Sequence, residues 1–169
     1  LASVAKTHPE LLANAVKTHR AAGGSCVVLD PHTGEILAMA AQPTWDANDP
    51  GASRVPLVNP VVSHFYEPGS TFKTVTVLAA LEEGVVRDGQ TITHCSGPLA
   101  VGRRVIREAH NYHGRVDPAK LIEVSCNISA ALLALPLAPE RFIAWCEKLG
   151  FGARTGVELL NESPGSLNR

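Results

Sequence analysis

The stretch that decides the fold is residues 67–84, EPGSTFKTVTVLAALEEG. Its first three residues are typical of a turn, and they lead directly into a run whose apolar residues cover every face of a helix. Gly84 stands where a helix often ends, because glycine readily adopts the left-handed conformation of the residue that follows a helix. The stretch therefore predicts a helix that is buried on most sides, with Ser70 at its N-terminal end.

Ser70 and Lys73 are three residues apart, so on a helix their side chains share one face and lie within reach of each other. A serine hydroxyl is a weak nucleophile until a base takes its proton, and a positioned base accelerates such a step by about 10²–10⁴-fold. Burial on a helix face lowers the pKa of lysine from about 10.4 toward neutrality. The pair predicts a nucleophile and its base, although this spacing in isolation also fits a helix cap beside a solvated lysine.

A second polar element, Ser125-Cys126-Asn127, falls at a break between two helical patterns. The first pattern runs through Val124 and the second covers residues 128–135. The hydroxyl of Ser125 can relay a proton, and the carboxamide of Asn127 can hold a peptide group through one donor and one acceptor. Taken alone, these residues also fit a helix cap.

The residues before the decisive stretch predict a hairpin. Ser25–Leu29 and Ile36–Ala41 are β-rich runs, and the Pro- and Gly-containing turn between them predicts antiparallel pairing. Because both runs are almost continuously apolar, both faces are expected to be covered. A helical pattern opened by Pro9 precedes the hairpin, whereas residues 42–66 show no periodicity and are expected to form a functional loop.

The remaining residues predict a helical part of the chain. Asp117-Pro118 is typical of a helix start, Pro139 opens a last helix, and a short ribbon is expected around residues 99–106. Together these elements predict an α/β (α+β) fold, in which a partial antiparallel sheet packs on helices and a helical lobe carries Ser125.

Composition excludes several functions. The chain has 169 residues, of which 45% are hydrophobic and 18% charged, so a globular domain is expected rather than disorder. A formal net charge of −1 offers no basic field for nucleic acid. No apolar run approaches the length of about 20 residues that a membrane helix needs. Because Leu1 is not an initiator and no signal-peptide pattern follows it, the chain is expected to be a piece of a longer protein.

Neither a disulfide framework nor a metal site is predicted. The four cysteines show no C-x-x-C spacing, and they neither require nor exclude an oxidising compartment. Cys95, His110 and His113 suggest zinc, but their spacing does not fit a structural site and three ligands are not four. No metal is therefore expected.

Together, the two polar elements resemble the signature of penicillin-binding proteins and serine β-lactamases, S-x-x-K followed by a serine-x-asparagine element. Residues 28–40, VLDPHTGEILAMA, resemble the opening hairpin of a class B penicillin-binding protein transpeptidase domain, and residues 66–73 resemble the approach to its nucleophile. Residues 151–165 match a later part of the family. The resemblance covers nearly the whole chain. It implies a β-lactamase/transpeptidase-like fold, with residues 1–169 as the N-terminal part of the domain.

The resemblance also implies a role for each candidate residue. Ser70 would attack the carbonyl of the penultimate D-alanine of a peptidoglycan stem peptide and form an acyl-enzyme, with Lys73 as its base. Ser125 would shuttle a proton and Asn127 would hold the substrate amide. An amine from a neighbouring strand would then resolve the acyl-enzyme into a cross-link. β-Lactams would acylate Ser70 in the same way, without a cofactor.

The same resemblance implies a location and partners. The domain would face the cell wall from the outer side of the cell membrane, with an anchor outside this segment. Its partners would be peptidoglycan stem peptides and β-lactams, and not nucleic acid. Membrane proteins of the divisome or the elongasome would bind regions outside this segment, and the sequence does not separate a role in cell division from one in elongation and cell shape.

Two features depart from the family pattern. The third motif, Lys-Thr/Ser-Gly on a sheet-edge strand, is absent, since Lys17-Thr18-His19 fails at its third position. In the family that strand supplies a cation for the substrate carboxylate and a backbone donor for the oxyanion, and loss of one such donor costs about 3–4 kcal/mol. These residues alone are therefore expected to be inactive. Glu108 stands where family members often carry aspartate.

Two alternative functions stay open. Ser-Thr-Phe-Lys is also the nucleophile motif of class D β-lactamases, which would make the protein a hydrolase, although residues 67–69 and Asn127 speak against it. The other alternative is a non-catalytic cell-wall-binding or scaffold domain that keeps the fold.

Overall fold

The structure, a computed structural model, describes residues 2–46, 48–52 and 58–167, without the side chains of residues 2–8 and 52. The chain divides into two compact units, Leu1–Phe65 with Arg154–Gly165 and Tyr66–Ala153 with Ser166–Arg169. The helices are α1 (Ala2–Thr18), α2 (Pro60–Ser63), α3 (Lys73–Glu82), α4 (Pro118–Val124), α5 (Asn127–Ala134) and α6 (Pro139–Lys148). The strands are β1 (Gly24–Leu29), β2 (Ile36–Gln42), β3 (Thr93–Cys95), β4 (Leu99–Val101), β5 (Arg104–Ile106) and β6 (Gly114–Val116). The predicted mixture of helices and antiparallel strands is confirmed.

The first unit contains the predicted hairpin, in which β1 and β2 pair antiparallel. Its turn is closed by Asp30, whose Oδ1 accepts hydrogen bonds from the backbone N–H groups of His32 and Thr33. The prediction that both faces are covered is wrong for the described residues. Burial alternates along β1, where Val27 and Leu29 leave 41% and 53% of their surface exposed. This is the pattern of a hairpin that is packed on one face only.

Helix α1 packs against the hairpin, and it begins earlier than predicted. The sequence pattern places its start at Pro9, whereas the helix begins at Ala2 and contains Pro9 in its interior. Leu12 and Val16, one turn apart, lie so near Gly24 that a Cβ there would come within 3.2 Å of either side chain. Gly24 thus allows the helix to pack closely on the strand. This packing offsets the loss of the backbone hydrogen bond that Pro9 cannot donate.

The stretch without periodicity, residues 42–66, contains a short helix that the sequence pattern missed. Helix α2 is too short to show a helical period, and Asn59 caps it by accepting a hydrogen bond from the Val61 N–H at 3.0 Å. Within the same unit, the Ser163 N–H donates to Val62 O at 2.8 Å. This bond ties the returning segment, residues 154–165, to α2.

Helix α3 forms the centre of the second unit, as predicted. It packs against α5 and α6, and its buried residues are Val75, Thr76, Val77, Ala79 and Ala80. Gly84 has a φ of +70°, the conformation predicted for the residue after the helix. The start differs from the prediction, because Ser70 lies in a separate 3₁₀ turn, Gly69–Phe72, that precedes the α-helix.

Two short ribbons and three further helices complete the second unit. The β4–β5 ribbon is the predicted one, whereas the β3–β6 pairing was missed because three-residue strands far apart in the chain carry no periodicity. Helix α4 begins as predicted, with Asp117 Oδ1 accepting from the Lys120 N–H at 2.8 Å. Helix α5 begins at Asn127, one residue before its predicted start.

Among the helices of the described chain, none by itself has the length and apolar character to cross a membrane. The pair α5 and α6 passes that test only when the two are taken together, and they are bent by 107° with respect to each other.

Candidate active site

The amine of Lys73 lies at the centre of the candidate site. Lys73 is the first residue of α3, and its half-buried side chain donates three hydrogen bonds. Its Nζ lies 2.9 Å from Ser125 Oγ, 2.6 Å from Asn127 Oδ1 and 2.5 Å from Ser125 O. An ammonium group carries three donors, so these three acceptors match the charged form of the lysine. The fold thus brings Lys73 to two residues that lie 52 and 54 positions away in the sequence.

Ser125 reaches Lys73 from an uncommon backbone conformation. It follows α4 with φ 54° and ψ 45°, the left-handed region that a side chain with a Cβ disfavours by about 1–2 kcal/mol. The turn is closed by the Cys126 N–H, which donates to Leu121 O at 3.1 Å. Because the carbonyl and the hydroxyl of Ser125 both accept from Lys73, the strained turn directs two acceptors at one amine.

The carboxamide of Asn127 is held at both ends. Its Oδ1 accepts from Lys73, and its Nδ2 donates to Arg107 O at 3.0 Å. Its backbone N–H donates to Glu108 Oε2 at 3.0 Å, which fixes the first residue of α5. An amide oxygen has two lone pairs and an amide nitrogen two hydrogens, so one acceptor and one donor remain for a substrate peptide group.

Glu108 supports the site and was missed as a functional residue by the sequence analysis. Its side chain is 3% exposed, and its carboxylate accepts from the backbone N–H groups of Asn127 and Ile128 at 3.0 and 2.8 Å. Burial by itself raises the pKa of this carboxyl, but those two N–H groups, the Cys126 thiol and the nearby His113 together bring the pKa below its usual value. The available signal was an acidic side chain that could cap the second helical pattern. The sequence did not reveal that Glu108 caps α5, because the two are far apart in the chain.

The environment of Lys73 favours a lysine that gives up its proton more easily than usual. Burial lowers the pKa of Lys73, while the negative charge of Glu108 and the Cys126 sulfur act in the opposite direction and only partly cancel the effect. Burial also raises the pKa of the Cys126 thiol to about 11, which keeps that group protonated and neutral near pH 7. Glu108 is therefore the negative neighbour that counts for Lys73.

Ser70 is exposed and lies in the 3₁₀ turn directly before α3. The turn that carries it is closed by Thr71, whose Oγ1 donates to Pro68 O at 2.7 Å. Phe72 anchors the turn through edge-to-face contacts with Phe142 and Phe151, at ring distances of 6.0 and 5.2 Å. In the part of the chain that the structure describes, no hydrogen bond joins Ser70 Oγ to Lys73 Nζ.

Ser70 and Lys73, whose side chains are expected to lie within reach of each other, share no side-chain hydrogen bond among the described contacts, and the physical reason is local. The three hydrogens of the Lys73 ammonium are all donated to Ser125 and Asn127. Ser70 instead accepts from Lys73 through the backbone, where the lysine N–H donates to Ser70 O. The structure brings Lys73, Ser125 and Asn127 together and leaves the Ser70 hydroxyl open to solvent.

Comparison with known proteins places these residues in one family. The model of the penicillin-binding protein transpeptidase domain matches residues 24–169, which is most of the chain. The chain belongs to this family. The match covers the whole of the second unit and all of the first unit except residues 1–23.

Individual relatives agree. The chain is 30% identical over 155 residues to the peptidoglycan D,D-transpeptidase FtsI of Escherichia coli K12, covering 91% of this chain and 26% of the relative. It is 41% identical over 149 residues to penicillin-binding protein PbpB of Mycolicibacterium smegmatis, covering 85% of this chain and 22% of the relative. These relatives are class B penicillin-binding proteins, as the sequence resemblance predicts.

A solved structure confirms the transpeptidase fold. The transpeptidase domain of penicillin-binding protein 3 from Burkholderia pseudomallei superimposes with a TM-score of 0.79 at 25% identity, covering 94% of this chain and 43% of that chain. The chain thus spans about a quarter of the length of the two curated relatives and less than half of the solved domain.

Proposed function

We propose that these residues form the nucleophile-bearing part of a peptidoglycan D,D-transpeptidase that works through an acyl-serine intermediate. The observation that carries the proposal is the contact of Lys73 Nζ with Ser125 Oγ and Asn127 Oδ1 in a chain of the transpeptidase family. A half-buried amine that contacts a hydroxyl can exchange a proton with it, and the neighbouring amide can bind a peptide group.

In the proposed acylation, Ser70 Oγ attacks the carbonyl carbon of the penultimate D-alanine of a stem peptide. Its proton passes to the neutral amine of Lys73, whose lowered pKa increases the fraction present as amine. The tetrahedral intermediate then expels the terminal D-alanine, whose nitrogen receives a proton through Ser125 Oγ, 2.9 Å from Lys73 Nζ. The product is an ester between Ser70 and the shortened stem peptide.

In the proposed second step, an amine of a neighbouring stem peptide attacks that ester. The attacking amine gives up a proton to Lys73 by way of Ser125 Oγ, the C–O bond to Ser70 breaks, a peptide cross-link forms, and Lys73 passes that proton to the serine oxygen. Asn127 holds the substrate amide in both steps, because its Nδ2 contact to Arg107 O fixes the direction of the carboxamide. A β-lactam acylates Ser70 in the same way, because its amide carbonyl takes the place of the D-alanine carbonyl.

The scheme needs Lys73 as a neutral amine, whereas its surroundings in the structure match the charged form. Three acceptors surround the ammonium, whereas a neutral amine has two hydrogens and a lone pair. We propose that loss of one proton lets Ser125 Oγ–H turn and donate to Lys73. Ser125 would then become the route by which the proton leaves and returns.

Residues 1–169 are proposed to act as the N-terminal part of the transpeptidase domain. They contain no Lys-Thr/Ser-Gly sequence, and we propose that the cation and the oxyanion donor of that motif are supplied by residues outside this sequence. Because peptidoglycan is assembled outside the membrane, we propose an extracytoplasmic location for the domain. Membrane proteins of cell division or elongation are proposed partners of the intact protein.

The proposal is tested with a fluorescent penicillin. The intact protein should be labelled, the label should map to the peptide that contains Ser70, and Ser70→Ala should abolish it. Ser96→Ala removes an exposed serine of the same unit and is the matched control, which should be labelled like the wild type. An unlabelled intact protein, or a label that survives Ser70→Ala, contradicts the acyl-serine function, and rapid turnover of the β-lactam would indicate a hydrolase instead.

The isolated residues 1–169 are expected to remain unlabelled. If Ser70 in that piece were labelled, the expected need for the third motif would be wrong, whereas the acyl-serine mechanism would stand.

A further inference from the structure

A buried group of two thiols and a carboxylate lies behind the candidate site. Cys95 Sγ, Cys126 Sγ and a Glu108 carboxylate oxygen all lie within 4.8 Å of one another. Cys95 and Cys126 are 1% and 0% exposed, and the Glu108 side chain is 3% exposed. We propose that Cys95, Glu108 and Cys126 form a binding site for a thiophilic divalent cation such as Zn²⁺ or Cd²⁺. The sequence analysis considered Cys95 with two histidines instead and expected no metal.

The distances between the candidate ligand atoms fit such an ion. Glu108 Oε1 lies 3.2 Å from Cys126 Sγ and 3.7 Å from Cys95 Sγ. Zinc binds sulfur at about 2.3 Å and carboxylate oxygen at about 2.0–2.2 Å, so a tetrahedral angle places the two atoms about 3.5 Å apart. The observed separations bracket that value. For both sulfur–oxygen pairs, an ion therefore needs shifts of only a few tenths of an ångström.

The charge of the group also suits metal binding. Both thiols donate hydrogen bonds to Glu108 Oε1, so both carry protons and the carboxylate supplies a single negative charge. A divalent cation that binds releases the two thiol protons, forms two metal–sulfur bonds and leaves the group with the same net charge of about −1. Binding thus buries no additional net charge.

Neighbouring groups already hold the ligands in place. The Glu108 carboxylate accepts from the Asn127 and Ile128 N–H groups, and His113 Nε2 lies 3.5 Å from its Oε2. The Ser129 N–H donates to Cys126 Sγ at 3.3 Å, a contact that would stabilise a thiolate. The Ser129 hydroxyl, 3.1 Å from the same sulfur, would supply the fourth ligand that a tetrahedral site needs beside Cys95, Glu108 and Cys126. Hydrogen bonds of this kind orient metal ligands in proteins.

The position of the site gives the ion a structural role. Cys95 ends β3, Glu108 follows β5, and Cys126 caps α5 between Ser125 and Asn127. An ion there cross-links three segments that are separate in the sequence. It would hold the turn that presents Ser125 and Asn127 without touching Lys73. This inference does not depend on the proposed function.

The test uses the intact protein after reduction and treatment with a chelator. Titration with Co²⁺ and Cd²⁺ should give thiolate-to-metal charge-transfer absorption that saturates at one ion per chain and is displaced by Zn²⁺. Cys95→Ser should weaken binding at least tenfold. Cys146→Ser is the matched control, since Cys146 is equally buried and lies outside the group, and it should bind like the wild type.

A measurement on the wild type covers the case in which Cys95→Ser fails to fold. Cd²⁺ should protect Cys95 and Cys126, but not Cys146, from alkylation under mildly denaturing conditions, as mapped by mass spectrometry. Absence of saturable binding, equal binding by Cys95→Ser, or equal alkylation of all three cysteines overturns the proposal. A mass two hydrogens lower, with Cys95 linked to Cys126 in the freshly isolated protein, overturns it in favour of a disulfide.

Discussion

Lys73 Nζ donates to Asn127 Oδ1 over 2.6 Å, and the other end of the same carboxamide donates to Arg107 O over 3.0 Å. The amide therefore links the start of α3 to the segment between β5 and β6 through two side-chain contacts. Because one contact involves a charged group, it contributes more to positioning than a neutral hydrogen bond does. Asn127 is therefore, together with Ser125, one of the two residues that hold the lysine amine in position.

Replacing Asn127 with alanine is expected to slow acylation of the intact protein by a β-lactam by about 10–100-fold. The lost bond to a charged group is worth about 1.5–3 kcal/mol, and the Lys73 amine loses one of its three fixed acceptors. The measurement is the second-order rate of labelling by a fluorescent penicillin. Asn111→Ala, at an exposed asparagine of the same unit, should leave the rate unchanged. Equal rates for the two variants would exclude the proposed role of Asn127.

Replacing Glu108 with glutamine is expected to move the pH dependence of acylation to lower pH. The Glu108 carboxylate raises the pKa of Lys73, so its removal lets the lysine lose its proton at a lower pH. The rate rises with pH as the amine forms, and this rising limb should shift toward acid in Glu108→Gln. Glu108→Asp keeps the charge and is the control. A limb that shifts toward base, or stays where it is, contradicts the effect assigned to Glu108.

The same substitution should lower stability by about 1–3 kcal/mol at neutral pH, because the amide keeps an acceptor for only one of the two backbone N–H groups and turns an NH2 group toward the other. The folded-state pKa of Glu108 lies below its usual value, so its contribution is fully present above that usual value and is lost as pH falls through the folded-state pKa. Thermal melts should therefore show a difference in Tm between wild type and Glu108→Gln that becomes smaller only in acid. A difference in Tm that becomes larger in acid would contradict the conclusion that ionised Glu108 stabilises the folded state.

Glu83, at the end of α3, is expected to stabilise the packing of α6 in a pH-dependent way. Its carboxylate accepts from Trp145 Nε1 at 2.8 Å and from Arg141 Nη2 at 2.7 Å, and these hydrogen bonds hold its pKa below the usual value. Glu83→Gln should lower the Tm at pH 7, and the difference from wild type should vanish as pH falls below the pKa of Glu83. Glu82→Gln, at the exposed neighbouring residue, should change the Tm little at any pH.

The elements with strong local signals could be predicted from the sequence. The hairpin turn, the apolar α3 and the Asp117 cap of α4 each depend on residues close together in the chain, and each is present. The β3–β6 ribbon and helix α2 were missed, because one pairs distant segments and the other is one turn long. The start of α1 was wrong, because tertiary packing outweighed the local effect of a proline.

The candidate site could likewise be predicted only where its residues belong to local motifs. The types and spacing of Ser70, Lys73, Ser125 and Asn127 could be read from the sequence, because each belongs to a short motif. The contact of Lys73 with Ser125 depends on the left-handed turn after α4, and no glycine at that position announces it. Glu108 acts on residues 18 to 20 positions away, so only the fold could show that it caps α5.

The left-handed conformation of Ser125 allows stability to be separated from function. Glycine adopts φ 54° without the cost that a Cβ imposes, so Ser125→Gly should keep or raise the Tm while removing the hydroxyl that contacts Lys73. Acylation should nevertheless fall by at least about tenfold, because the proposed proton route is lost. Ser125→Ala removes the same hydroxyl but keeps the Cβ, so it should lose the rate without the gain in Tm. If Ser125→Gly reacted as fast as the wild type, the hydroxyl would have no part in proton transfer, and Ser125 would contribute only its backbone carbonyl to the position of Lys73.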